Sequence, residues 1–89
     1  MNLEKNWDLR VDDIVYKKMG KFPIFDKRRI LSVITSLKDN PYAGDFEKIR
    51  GEENHFRRRV GAYRIFFNIY QERRMVLVAN VKRRSSHTY

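Results

Sequence analysis

The spacing of Arg57, Arg59 and Arg64 suits the gripping of a polyanion. In Phe56-Arg57-Arg58-Arg59-Val60 the two-residue period of a strand puts Arg57 and Arg59 on one face and Phe56 and Val60 on the other. Arg64 opens the next strand-like run just past a turn at Gly61, which brings it near that row, on a face set by strand register. Arg83 stands near the end of the final strand-like run, with His87 and Tyr89 beyond it. If these strands are neighbours in one sheet, four guanidiniums, an imidazole and a phenol line one concave surface.

Such a set suits metal-independent cleavage of RNA, in which the 2′-OH attacks its own phosphate, charge builds on the phosphorane and a 5′-oxygen leaves. A guanidinium is planar and always protonated, and it binds two phosphate oxygens at once. For the same reason it moves no protons. His87 titrates near neutrality and is a candidate donor to the leaving oxygen. Tyr89 is a candidate base if the surrounding cations lower its ordinary pKa of about 10. The bland alternative is that these arginines are a solvated sheet face.

Charge distribution agrees with a polyanion partner. Residues His55 to Tyr89 carry nine Lys/Arg and one acidic residue, Glu72, whereas the preceding fifty-four carry eleven against ten, so +8 of the net +9 lies in the last stretch. The chain of 89 residues is 42% apolar and 35% charged, enough for one folded domain spanning residues 1–89. It has no cysteine, which excludes disulfides and thiolate metal sites and fits a reducing cytoplasm. No apolar leader or membrane-length run is present, and the basic cluster lies in strand-like sequence, so no membrane partner is expected. Neither a metal nor a cofactor is expected, because no metal-ligand spacing and no Gly-rich phosphate loop occurs.

These residues need a scaffold. Trp7, Leu9 and Val11 alternate with Asp8 and Arg10 as a strand. Asp12 offers an N-cap, with Asp13 in the first turn, and Val15, Met19 and Phe22 mark a short helix broken around Gly20 and closed by Pro23. A second helix is predicted from Ile24 to Asp39, with the apolar stripe Ile30, Val33, Ile34 and Leu37, stopped by Asn40-Pro41. Pro41 to Asn54 reads as turns. Val60-Gly61-Ala62-Tyr63 reads as a two-residue hairpin, Gly61 supplying the positive φ of a type II′ turn. Tyr63, Ile65, Phe67 and Ile69 then oppose Arg64, Phe66, Asn68 and Tyr70, and Met75 to Ala79 is apolar on both faces like a central strand. The order β-α-α-β-β-β predicts an α+β domain, a mainly antiparallel sheet with a two-helix hairpin on one face. Arg58 falls on the apolar side, where it must snorkel at a sheet edge or sit on a bulge. Trp7, Tyr16, Tyr63, Phe66 and Phe67 are assigned to packing, and Tyr70 is left open.

With Asn40-Pro41, Glu47-Lys-Ile-Arg-Gly51, Phe56-Arg-Arg-Arg-Val-Gly-Ala-Tyr-Arg64 and Val81-Lys-Arg-Arg-Ser-Ser-His-Thr-Tyr89 in this order, the chain resembles the RelE/ParE family of bacterial and archaeal toxins over nearly its whole length. The resemblance implies the toxin of a type II toxin–antitoxin pair with a RelE-like α+β fold. In the RelE-like branch, which enters the ribosomal A site and cuts mRNA there, Arg57 and Arg59 match residues that hold the RNA backbone. Arg64 matches an arginine that stabilises the transition state, Arg83 corresponds to a further catalytic arginine near the end of the last strand, and Tyr89 matches the residue acting on the 2′-OH. Lys48, Arg50, Lys82 and Arg84 are further candidate nucleic-acid contacts.

His87 lies outside the plain RelE set, although some relatives pair a near-terminal His with a carboxylate, for which Glu47 is the nearest candidate. The implied partners are a cognate acidic antitoxin and mRNA in the A site with 16S rRNA contacts, with operator DNA reached only through the antitoxin. The filled positions favour a ribosome-dependent mRNA endonuclease. The alternatives are a ParE-like inhibitor of DNA gyrase and a non-catalytic antitoxin- or nucleic-acid-binding module.

Overall fold

A computed structural model describes residues 6–84. It contains strand β1 (Asp8–Val11), helices α1 (Asp13–Met19) and α2 (Ile24–Ser36), then strands β2 (Phe46–Lys48), β3 (His55–Val60), β4 (Tyr63–Tyr70) and β5 (Met75–Arg83). A single 3-10 turn, Gln71–Arg73, joins the last two strands. The strands form one sheet in the order β1-β5-β4-β3-β2, in which β1 runs parallel to β5 and every other pair is antiparallel. The α+β class and the mainly antiparallel sheet agree with the sequence expectation. No helix among the described residues is long and apolar enough to cross a membrane.

Local chemistry explains the element ends. The Asp12 carboxylate accepts the Ile14 N–H at 3.1 Å and caps α1, and the helix stops at Gly20. α2 begins after Pro23 and ends at Ser36, three residues short of the predicted Asp39. Leu37 caps it in a tightened last turn, its N–H bonding back to the Ile34 carbonyl, because its side chain is drawn into the core.

Val60 pairs with Tyr63 across a two-residue turn, with Gly61 at φ +59° and no positive φ at Ala62, as a type II′ turn requires. The segment predicted as turns holds β2, which was missed. Its three residues are too few for alternation to declare itself, and they are a strand by virtue of pairing with β3. β5 runs from Met75 to Arg83, with Arg83 at the strand end as expected.

Both helices cover one face of the sheet. Val15 and Met19 from α1 and Ile30, Ile34 and Leu37 from α2 bury against Val60, Tyr63, Ile65, Phe67, Ile69, Val76, Val78 and Val81. Trp7 joins this core with Tyr42 at its edge. Tyr16, expected to pack, is 54% exposed. It follows Val15 by about 100° around the helix, so seating Val15 and Met19 turns Tyr16 outward.

β4 and β5 are out of simple register at one point. Phe66 pairs with Asn80 and Phe67 with Val78, leaving Ala79 as a bulge. The bulge moves every later β5 side chain to the opposite face, so that Val81 and Arg83 follow Val78 on the helix side and Lys82 faces the other way.

Candidate functional site

The face of the sheet opposite the helices is left uncovered by any element among the described residues, and the basic row lies on it. Arg57 and Arg59 come from β3 and Arg64 from β4, where Arg59 and Arg64 are a directly paired cross-strand couple beside the Gly61 turn. Two like charges set opposite each other repel, which a packed surface tolerates only with counter-charges nearby. β2 and the residue before it supply them. Glu47 pairs with Arg57 in register, and its Oε2 accepts from Arg57 Nε at 2.7 Å and also from Nη2. The Asp45 carboxylate lies 3.6 Å from Arg59 Nε. The backbone fixes this edge, since Arg59 N–H donates to the Asp45 carbonyl and Ile49 N–H to the His55 carbonyl.

Asp45, Glu47, Arg57, Arg59 and Arg64 line a small cavity of about 100 Å³. Three guanidiniums face two carboxylates there, and Arg64 has no ion-pair partner among the described residues. Both pairs are solvent-accessible, with Arg57 and Glu47 side chains 38% and 59% exposed. Exposed pairs of this kind are worth about 0–1 kcal/mol, so a phosphate can displace either carboxylate at little cost. The arrangement is chemically a poised anion site, with one guanidinium unpaired among the described residues and two that are lightly held.

Arg64 is also well positioned. Its neighbour Tyr63 is buried, and the phenol donates to Asp26 Oδ2 on α2 at 2.8 Å. Burial, followed by the Asp26 hydrogen bond and the Asp26 charge, raises the Tyr63 pKa above its ordinary value, with Arg83 opposing. A neutral phenol anchored to α2 in this way holds the first residue of β4, and Arg64 must then point out of the opposite face.

The other sequence candidates are distributed unevenly. Lys82 pairs with Arg64 and joins the row, its ammonium 5.4 Å from the Phe66 ring centroid. Arg83, expected in the row, is not there. It pairs with Tyr63 and its guanidinium lies over that ring at 5.8 Å, near Lys18, Lys21 and Phe22 on the helix side. The Ala79 bulge is the cause. Arg84 is exposed where the chain leaves the sheet, its N–H bonded to the Ala62 carbonyl. Lys48 pairs with Phe56, which puts it on the face away from the row, and Arg50 lies in the following turn, so neither lines the cavity. His87 and Tyr89 lie outside the described residues.

Arg58 stands neither at a sheet edge nor on a bulge, for β3 pairs in unbroken register with β2 on one side and β4 on the other. Its guanidinium lies against Gly44, where a Cβ would fall 2.5 Å from its Cζ, and its Nη1 is buried with no hydrogen-bond partner among the described residues.

Three residues on this face were not read as candidates. Asp45 needs β2 to be seen. His55 and Phe66 share the face by alternation. Phe66, assigned to packing, belongs instead to the uncovered side, because Ile65 and Phe67 take the core positions on either side of it. The alternation itself was the available signal.

No protein-family model matches the chain, and no curated protein matches it. Solved structures do. A chain of the archaeal RelE–RelB complex from Pyrococcus horikoshii OT3 superposes with a TM-score of 0.79 at 21% identity, over 92% of this chain and 99% of that one. A chain of the toxin–antitoxin complex RelBE2 from Mycobacterium tuberculosis gives 0.77 at 21% identity, over 89% and 99%. The isolated RelE toxin of E. coli gives 0.74 at 18% identity, over 91% and 87%. The fold is therefore that of the RelE toxins.

Proposed function

We propose that the chain is the toxin of a toxin–antitoxin pair and acts as a ribosome-dependent mRNA endonuclease. The observation that carries this reading is the cavity of Arg57, Arg59 and Arg64 on the uncovered sheet face of a RelE-like fold, with Arg64 unpaired among the described residues. In this reading Arg57 and Arg59 hold the RNA backbone by exchanging Glu47 and Asp45 for phosphate oxygens. Arg64 faces the scissile phosphate, where its fixed charge stabilises the phosphorane more than the ground state. Lys82 supports it from the paired position on β5, and Arg83 acts from the strand end.

The proton account closes on three groups. The 2′-OH gives its proton to Tyr89 or to Glu47, the carboxylate already seated beside Arg57. Its oxygen then bonds to phosphorus, forming a 2′,3′-cyclic phosphate, the P–O5′ bond breaks, and His87 protonates the departing 5′-oxygen. Requiring the 2′-OH confines the reaction to RNA. An acidic antitoxin is the expected partner of so basic a face, and RelE–RelB complexes among the structural neighbours support one. Operator DNA is then reached through the antitoxin, and the site of action is the A site of cytoplasmic ribosomes.

The test is primer extension on a defined mRNA in a cell-free translation reaction with purified protein. Cuts inside codons that appear only while ribosomes translate are the expected result. Intact mRNA at saturating protein overturns the reading and leaves gyrase inhibition or plain binding.

A further inference from the structure

Phe66 stands on the uncovered face between Arg64 and Asn68, half-buried, with Arg57 paired to it on β3 and Asn80 on β5. His55, two residues before Arg57 on the same face, lays its imidazole nearly parallel to the phenyl ring, 23° between planes and 6.2 Å between centroids. The imidazole is held from the side by Asn68, whose Oδ1 lies 3.3 Å from His55 Nδ1. The Lys82 ammonium approaches the same phenyl ring. These rings are not needed by the core, which is complete with Ile65 and Phe67 on the other side of the strand.

Two nearly parallel flat rings, ringed by Arg57, Arg64 and Lys82, are complementary to a flat uncharged ring that carries anionic groups at its flank. A nucleotide has that form. We infer that Phe66 and His55 form a stacking platform for one nucleobase of single-stranded RNA, next to the phosphate held by Arg57 and Arg64. The inference rests on the RNA-binding reading of this face and goes beyond it by assigning where a base lies. Positions two apart on a strand are about 7 Å apart, so platform and Arg64 reach the base and phosphate of one nucleotide. Aromatic side chains on an open sheet stack bases in this way, and duplex RNA, whose base faces are hidden, is not a ligand for them.

The experiment uses the full chain and a short uridine-flanked oligoribonucleotide carrying one 2-aminopurine, with every 2′-hydroxyl methylated so that no cleavage occurs. Stacking on an aromatic ring quenches 2-aminopurine fluorescence. Wild type is expected to give saturable quenching. Phe66→Leu, which keeps apolar bulk and is checked for an unchanged melting temperature, is expected to lose the quenching and bind about tenfold more weakly, within the range for one stacked base. Phe66→Trp is expected to retain both, and His55→Ala to lose part of each.

Absent quenching in wild type, or wild-type quenching and affinity in Phe66→Leu, overturns the platform. So does Phe66→Trp behaving like Phe66→Leu, which would leave the ring as a contact for a protein partner. Codon-internal cleavage measured alongside separates the two readings. Cleavage that persists unchanged in Phe66→Leu, with quenching unaltered, sinks the platform and spares the enzyme. Quenching lost only in Phe66→Leu, without cleavage by wild type, does the reverse.

Discussion

Along β4, Tyr63, Ile65, Phe67 and Ile69 are at most 3% exposed, while Arg64, Phe66, Asn68 and Tyr70 between them are half-buried with no element above them among the described residues. The same alternation thus serves two ends. On the helix side each side chain is held by close packing, and the cost of truncation falls on folding. On the open side the cations and rings are held by strand register and by light ion pairs, and under the proposed function the cost of truncation falls on binding. Positioning is borrowed from the packed face, since Tyr63 anchored to Asp26 aims Arg64 outward. Under the proposed function, the domain separates stability from binding by assigning them to alternate residues of one strand.

The sharpest way to break this comparison is to truncate adjacent phenylalanines on opposite faces. Phe67→Ala is expected to lose about 3–5 kcal/mol in urea unfolding, as a fully buried Phe does. Phe66→Ala is expected to lose on the order of 1 kcal/mol, since its ring is half in water. Equal losses would show that the open face is a second core.

Next in size is Arg64→Ala, expected to lower ribosome-dependent cleavage by about 10²–10³-fold with an unchanged unfolding midpoint, by analogy with removal of one transition-state donor. Arg83→Ala is expected to cost less, because the bulge sends Arg83 to the helix side. An Arg83→Ala loss as large as that of Arg64→Ala would mean that the strand end turns toward the row when RNA binds.

Gly44→Ala is expected to cost about 1–3 kcal/mol in the same unfolding assay. Its φ is +86°, and the new methyl would meet the Arg58 guanidinium. Glu47→Gln tests how lightly the row is held. Releasing Arg57 from an exposed pair worth about 0–1 kcal/mol should tighten binding of non-cleavable RNA by a few fold, read by fluorescence titration.

The smallest effect is at high pH. The folded Tyr63 pKa is raised by burial and by Asp26, so its contribution to stability is intact below the unfolded value of about 10. Above that value it falls as pH rises toward the folded pKa, because the unfolded chain releases the proton first. Tyr63→Phe should remove that part of the alkaline decline, measured as midpoint against pH.

Much of this was legible in the residues themselves. The split of Arg57 and Arg59 from Phe56 and Val60 follows from the pleat. The hairpin follows from Gly61, and the α1 start from Asp12, because each depends on neighbours one to three residues away. The β2 strand and the Asp45 and Glu47 counter-charges were harder to read, since a three-residue edge strand exists through its partner and has little pattern of its own. Phe66 was misassigned because an aromatic residue in a strand is ordinarily a packing residue, and its face is decided by which neighbours meet the helices.

By itself, then, the sequence determined the class of fold, the division of β3 and β4 into two alternating faces, and the concentration of positive charge in the last third of the chain. These are short-range matters of period, turn chemistry and composition. Tertiary structure decided which cations meet. The Ala79 bulge puts Lys82 rather than Arg83 on the open face, and β2 pairing brings carboxylates into a basic row. Both are register events between strands distant in sequence, and a shift of one residue in a two-residue period reverses every side chain that follows.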